Sequence, residues 1–176
     1  MAPAVQNAWL VFEAVPENLR IKTSTFAQLE KLTPSDCILA SNSSSYKSGE
    51  MLDEVRDETK QRALNTHYMM PPQIRIVELM TSGHTHAGLP EWLAERHREV
   101  GLSPYVAMKE STGFIFNRVW AAIKRECLTI LSEGVSTPKE LDNIWQEMFK
   151  SPQGPCEMMD SKSSLCLLYT SDAADE

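Results

Sequence analysis

The texture of this chain changes once, at Gly113, and that change constrains the fold more than any other feature. Before it, short apolar runs alternate with stretches of helical spacing; after it, only helical spacing remains. Ala8 to Val15 is a nearly continuous apolar run closed by Pro16, the pattern of a strand buried on both faces of a parallel sheet. From Asn18 the spacing of Ile21, Thr25, Phe26, Leu29 and Leu32 predicts a helix that Thr33-Pro34 stops. Further strands are expected at Cys37 to Ala40, Leu64 to Tyr68, Ile74 to Met80 and Tyr105 to Met108, with a helix over Thr85 to Gly101.

Beyond Gly113, Val119, Ile123, Cys127, Ile130 and Leu131 form one apolar helical stripe that ends at Gly134. Thr137-Pro138-Lys139-Glu140 then carries a capping signature: a hydroxyl to cap, a proline for the first turn and an acid to reach back. Strands alternating with helices and then helices alone imply an α/β domain leading into an α-helical one, with the boundary near Lys109 to Gly113. The expected division is 1–112 and 113–160. Cys166 to Glu176 has no usable period and resembles the translation of a sequencing-library adapter, so 161–176 is expected to be a non-native or disordered tail.

Composition narrows the function classes. A formal charge of -7 with no block of Lys and Arg argues against a surface that tracks nucleic-acid phosphates. No apolar run approaches the ~18 residues a membrane span needs, and the first residues lack the basic start and apolar stretch of a secretory signal. An intracellular location is expected, cytoplasmic by default, with mitochondrion and peroxisome open. Cys37, Cys127, Cys156 and Cys166 show no metal-site spacing and no disulfide framework, so no metal is expected and the thiols are read as reduced. The seven glycines contain no G-x-G-x-x-G arrangement, so no phosphate-cradling turn of that kind is present.

The chemistry-bearing residues cluster around one strand and its turn. His67 falls near the end of a predicted strand, and Glu78 lies beyond the Pro71-Pro72 turn among Ile76, Val77, Leu79 and Met80, company that makes a purely solvated carboxylate unusual. An antiparallel or neighbouring strand arrangement would bring the two together. A carboxylate bonded to one ring nitrogen fixes the tautomer and leaves the other nitrogen to take a proton. Each residue also has a plainer reading: His67 as a structural or surface group, Glu78 as an edge carboxylate, Ser44 as a turn residue and Asn117 as a helix cap.

Taken in order, these segments resemble the 3-hydroxyacyl-CoA dehydrogenase family. The resemblance rests on Val11-Phe12-Glu13-Ala14-Val15-Pro16-Glu17-Asn18, Ala40-Ser41-Asn42-Ser43-Ser44-Ser45, the His67 strand, Ile76-Val77-Glu78 and Ser111-Thr112-Gly113-Phe114-Ile115-Phe116-Asn117-Arg118, and it covers about Ala8 to Asp160. It implies an α/β chain holding the C-terminal part of a Rossmann-like dinucleotide-binding domain, without its first βαβ unit, followed by the start of an all-α domain. It further implies NAD-linked oxidation of a 3-hydroxyacyl-CoA to the 3-keto compound. His67 would be the general base and Glu78 its orienting partner, with Ser44 and Asn117 holding the substrate oxygen. Glu17 and Lys22 would lie with Ser44 on the cofactor side. Without the resemblance, Lys22 reads as a helix-surface cation.

Tyr68, Met69, Met70 and Pro71 stand where the family usually has two aromatics and Asn-Pro, which marks a divergent branch. The family also suggests a homodimeric parent protein, and a chain inactive in its present form because the cofactor cradle would precede Met1. Two other functions fit the same residues: a dehydrogenase of a free hydroxy acid, and a non-catalytic structural or binding member of the fold.

Overall fold

A computed structural model describes residues 2–161; of the tail expected at 161–176, Ser161 ends a helix and the rest lies outside the described residues. The chain divides into two compact units, Met1–Ile115 and Phe116–Glu176.

The first unit begins with a single helical turn, α1 (Ala2–Val5), and continues as β1 (Leu10–Glu13), α2 (Leu19–Leu32) and β2 (Ile38–Ser41). A 3₁₀ turn at Ser48–Met51 and the short α3 (Asp57–Lys60) lead to β3 (Ala63–Tyr68). Then come β4 (Ile76–Thr81), α4 (Leu89–Glu99) and β5 (Ser103–Ala107). The five strands stand in sequence order in one sheet, β1-β2-β3-β4-β5. The β1–β2, β2–β3 and β4–β5 pairs are parallel, so each needs a helical crossover, whereas the antiparallel β3–β4 pair needs only a turn.

Local chemistry explains the elements. Asn18 starts α2 by accepting the Ile21 N–H at 3.1 Å through its side chain. The helix stops at Thr33, held extended by the following Pro34. Side-chain alternation then gives the sheet two apolar faces. Leu39 and Ala63 face Phe26, Leu29 and Met51 on one side, while Ala40, Leu64, Val77 and Leu79 meet Leu93 and Ala94 of α4 on the other.

Three expectations need correction. The Ala8 to Val15 run contributes only Leu10–Glu13 to the sheet and is not buried on both faces, for Phe12 is 44% exposed and β1 pairs only with β2 among the described residues. The inward stripe of α2 keeps Phe26 and Leu29 but begins at Lys22 rather than Ile21: Ile21 faces out and Lys22 is 1% exposed, so Lys22 is not a surface cation. The Thr85 to Gly101 segment is helical only from Leu89, because 82–88 is taken up by turns in which Thr85 Oγ1 donates to the Ala63 carbonyl at 2.5 Å.

The second unit contains α5 (Phe116–Ser132), α6 (Pro138–Phe149) and α7 (Pro155–Ser161). The expected capping box is present: Thr137 Oγ1 accepts the Glu140 N–H at 3.3 Å, and Glu140 Oε2 accepts the Thr137 N–H at 3.4 Å. Asp142, buried on α6, accepts the backbone N–H groups of Cys156 at 2.7 Å and Glu157 at 3.1 Å, so a side chain from another helix caps α7. A β-carbon at Gly154 would overlap the Asp142 backbone, which restricts that position to glycine. Cys37, Cys127 and Cys156 are buried free thiols, and Cys166 lies outside the described residues. Among the described residues no helix is long and apolar enough to cross a membrane.

Candidate active site

The register of β3 against β4 pairs His67 directly with Glu78. Directly opposed side chains stand roughly 5 Å apart at their β-carbons, close enough for a hydrogen bond between their ends. Here His67 Nδ1 lies 3.0 Å from Glu78 Oε2. Glu78 is 2% exposed and His67 8%, so the bond between them is largely shielded from bulk water. The other carboxylate oxygen, Oε1, accepts the Ile115 N–H at 3.0 Å. A carboxylate only accepts, so Nδ1 carries a proton, and in the neutral form of the imidazole the lone pair stands on Nε2. Among the described residues no hydrogen bond engages Nε2. The Phe114 ring lies 5.3 Å from the imidazole, centroid to centroid.

The second group of candidates sits at the carboxyl ends of β1 and β2. Lys22 Nζ donates to Glu13 Oε1 at 2.9 Å and to the Val15 carbonyl at 3.2 Å, and stands 3.7 Å from Glu17 Oε2. Glu13 also accepts the Ser41 hydroxyl at 2.7 Å and the Val15 N–H at 2.7 Å. Glu17 accepts the Ser43 hydroxyl and the Ser44 N–H, both at 3.0 Å. These contacts shape the serine loop Ser41–Ser45 and hold it at the carboxyl end of β2, where open α/β sheets bind their ligands. Asn42 Oδ1 accepts the Tyr68 N–H at 3.0 Å, joining the same loop to the residue after His67. Asn117 belongs to the other unit, as the second residue of α5, and so lies inside the first turn rather than before it.

Sequence reasoning missed Glu13, Asn42, Tyr68 and His97. Glu13 carries the same signal that marked Glu78, an acid inside an apolar run. Tyr68 Oη lies 2.7 Å from His97 Nε2, and His97 Nδ1 donates to the Leu93 carbonyl at 2.7 Å, so the ring joins the phenol to α4. Burial pushes the Tyr68 phenol up from 10.0 to about 12. Between those values the unfolded chain has lost a proton that the folded chain keeps, so this group lowers stability as pH rises through the interval. The Tyr68→Phe variant is expected to show a shallower alkaline fall of the urea midpoint there, measured against the parent chain.

Met70, 57% exposed, has φ of 49°, a left-handed conformation that asparagine tolerates better than methionine. Met70→Asn is expected to raise stability by up to about 1 kcal/mol, read from the same urea midpoint.

The sheet, its ligand-facing serine loop and the helical unit after it define a Rossmann-like α/β protein of the dinucleotide-binding class. Residues 1–111 match the NAD binding domain of 3-hydroxyacyl-CoA dehydrogenase and residues 113–164 match its C-terminal domain, and the chain belongs to this family. It is 53% identical over 93 residues to the 3-hydroxyacyl-CoA dehydrogenase-like protein LAM1 of Cochliobolus heterostrophus, covering 53% of this chain and 20% of that protein. It is 32% identical over 143 residues to L-carnitine dehydrogenase of Nocardiopsis dassonvillei, covering 81% of this chain and 43% of that protein. The structure of 3-hydroxybutyryl-CoA dehydrogenase from Escherichia coli K12 superposes with a TM-score of 0.82 at 31% identity, over 89% of this chain and 33% of that one. The chain therefore spans less than half the length of each of these three proteins.

NAD is the cofactor of the family's N-terminal domain. At the carboxyl ends of β1 and β2, the Glu17 carboxylate, joined to the Ser43 hydroxyl and the Ser44 N–H, is a group of the kind that could hold a ribose hydroxyl.

Proposed function

We propose that this chain carries the catalytic part of an NAD-dependent oxidoreductase that oxidises a 3-hydroxyacyl-CoA, or a similar 3-hydroxy acid, to the 3-keto compound. The observation that carries this reading is the buried His67–Glu78 bond with the imidazole Nε2 left open. In the proposed reaction the C3 hydroxyl gives its proton to Nε2 of His67, the O–H electron pair becomes the second C–O bond, and hydride leaves C3. NAD, when bound, accepts that hydride. Glu78 stabilises the imidazolium as it forms, because the charge develops against an anion already in place. Ser44 and Asn117 are assigned to the substrate oxygen, and Glu17 and Ser44 to the cofactor side. Lys22 acts there through Glu17, since its own ammonium is spent inside the fold.

A second reading, the oxidation of a free hydroxy acid, is favoured by the similarity to L-carnitine dehydrogenase. One assay separates the two. The chain as it stands, and the same chain joined upstream to a glycine-rich βαβ unit, are mixed with NAD and either 3-hydroxybutyryl-CoA or free L-carnitine, and NADH is followed by absorbance. The joined form is expected to turn over the thioester. The chain alone is expected to do so poorly, because its seven glycines include no phosphate-cradling turn. Turnover of carnitine alone favours the second reading; no turnover by either form with either substrate removes the catalytic assignment.

A further inference from the structure

We propose that Phe114 and the Ile115 N–H are the positioning elements of the His67–Glu78 pair. Both are presented by the strap at 111–115 that closes the first unit. The proposal deepens the catalytic reading above and rests on it only for its consequence in turnover.

Five observations carry it. The Phe114 side chain is 2% exposed, and its ring lies 5.3 Å from the imidazole centroid at 40° between planes, so it bounds the imidazole on one side. The next residue gives its N–H to Glu78 Oε1 at 3.0 Å, which leaves the other oxygen of the same carboxylate for His67. One short segment thus touches both members of the pair.

The strap itself is built to hold that posture. Gly113 has φ of 74° and Phe114 φ of 54°, two successive left-handed residues, the second a bulky one that rarely adopts this conformation. The turn is closed by the Phe114 N–H bonding to the Ser111 carbonyl at 3.0 Å and by the Ser111 hydroxyl donating to the Phe114 carbonyl at 3.3 Å. Gly113 N–H donates to the Ser45 carbonyl at 3.2 Å, and Ser111 N–H to Met80 Sδ at 3.1 Å, pinning the strap to the serine loop and to β4. If the strap served only to connect elements, glycine would suit position 114 better than phenylalanine. A ring at a strained position, packed on an imidazole, makes sense when the ring is what the site needs.

The test reads the imidazole directly, without cofactor. In the chain with nitrogen-15-labelled histidine, His67 is expected to show a single tautomer, with the proton on Nδ1, and ring–ring proton contacts between His67 and Phe114. Phe114→Leu keeps an apolar side chain without the ring, and Phe114→Gly relieves the backbone. Both are expected to lose the single tautomer, while Phe114→Tyr retains it. In the form joined to a glycine-rich upstream unit, the leucine variant is expected to lose roughly tenfold in kcat with KM for the thioester changed less than about twofold. A His67 tautomer unchanged in Phe114→Leu or Phe114→Gly overturns the proposal, as does the absence of His67–Phe114 ring contacts in the parent chain. That last measurement stands even where a variant fails to fold. A parent that lacks turnover but shows the tautomer and its loss in the variants overturns the catalytic reading and leaves this one in place.

Discussion

Replacing His67 by alanine, in the chain joined to a glycine-rich upstream unit, is expected to lower kcat for a 3-hydroxyacyl thioester by roughly 100- to 10,000-fold, the usual contribution of a positioned general base. Under the proposed assignment of Ser44 to the substrate oxygen, KM should change less than kcat. The loss follows from the arrangement at Nε2: with Nδ1 committed to Glu78 at 3.0 Å, Nε2 is the imidazole atom left to accept a hydroxyl proton. Glu78→Gln should cost less than His67→Ala. The amide keeps the size of the acid but supplies no charge to stabilise the imidazolium. Stopped and steady-state NADH measurements with both variants check the order. A His67→Ala protein with parental kcat would show that the buried pair is structural.

The second large effect concerns stability. Glu13→Ala is expected to destabilise the first unit by about 3–5 kcal/mol, the range found when one member of a buried ion pair is removed. The Lys22 side chain is 1% exposed and that of Glu13 0%, so the orphaned ammonium has no water to turn to. Glu17, at 3.7 Å, offers only partial relief. The same substitution strips the Ser41 hydroxyl and the Val15 N–H of their acceptor. Urea denaturation followed by far-ultraviolet circular dichroism measures the loss. Replacing both partners together, Glu13→Leu with Lys22→Met, should recover most of it, since two apolar side chains leave no buried charge behind. A single variant as stable as the parent would mean that Lys22 reaches solvent readily.

The particular residues show why some of this was legible in the sequence and some was not. Glu78 announced itself by its apolar neighbours, and the antiparallel turn then delivered it to His67, as the spacing across Pro71-Pro72 allowed. The capping box at Thr137 was equally plain, because its signature is local. Glu13 carried the same kind of signal as Glu78, but its partner is a lysine nine residues on, a charged residue that takes the inward place beside the apolar Ile21. Tyr68 and His97 meet across 29 residues with no local pattern to mark the pairing. Phe114 was the hardest of these to read, since a left-handed conformation at an aromatic residue is the opposite of what propensity suggests.

The grip of Ile115 on Glu78 bears on how the first unit should be cut out for separate study. A truncation placed at residue 111, where the match to the NAD binding domain ends, would discard both the ring beside the imidazole and the amide that anchors its carboxylate. Such a truncated protein would keep its sheet and misplace its base. A terminus past Phe116 would preserve both.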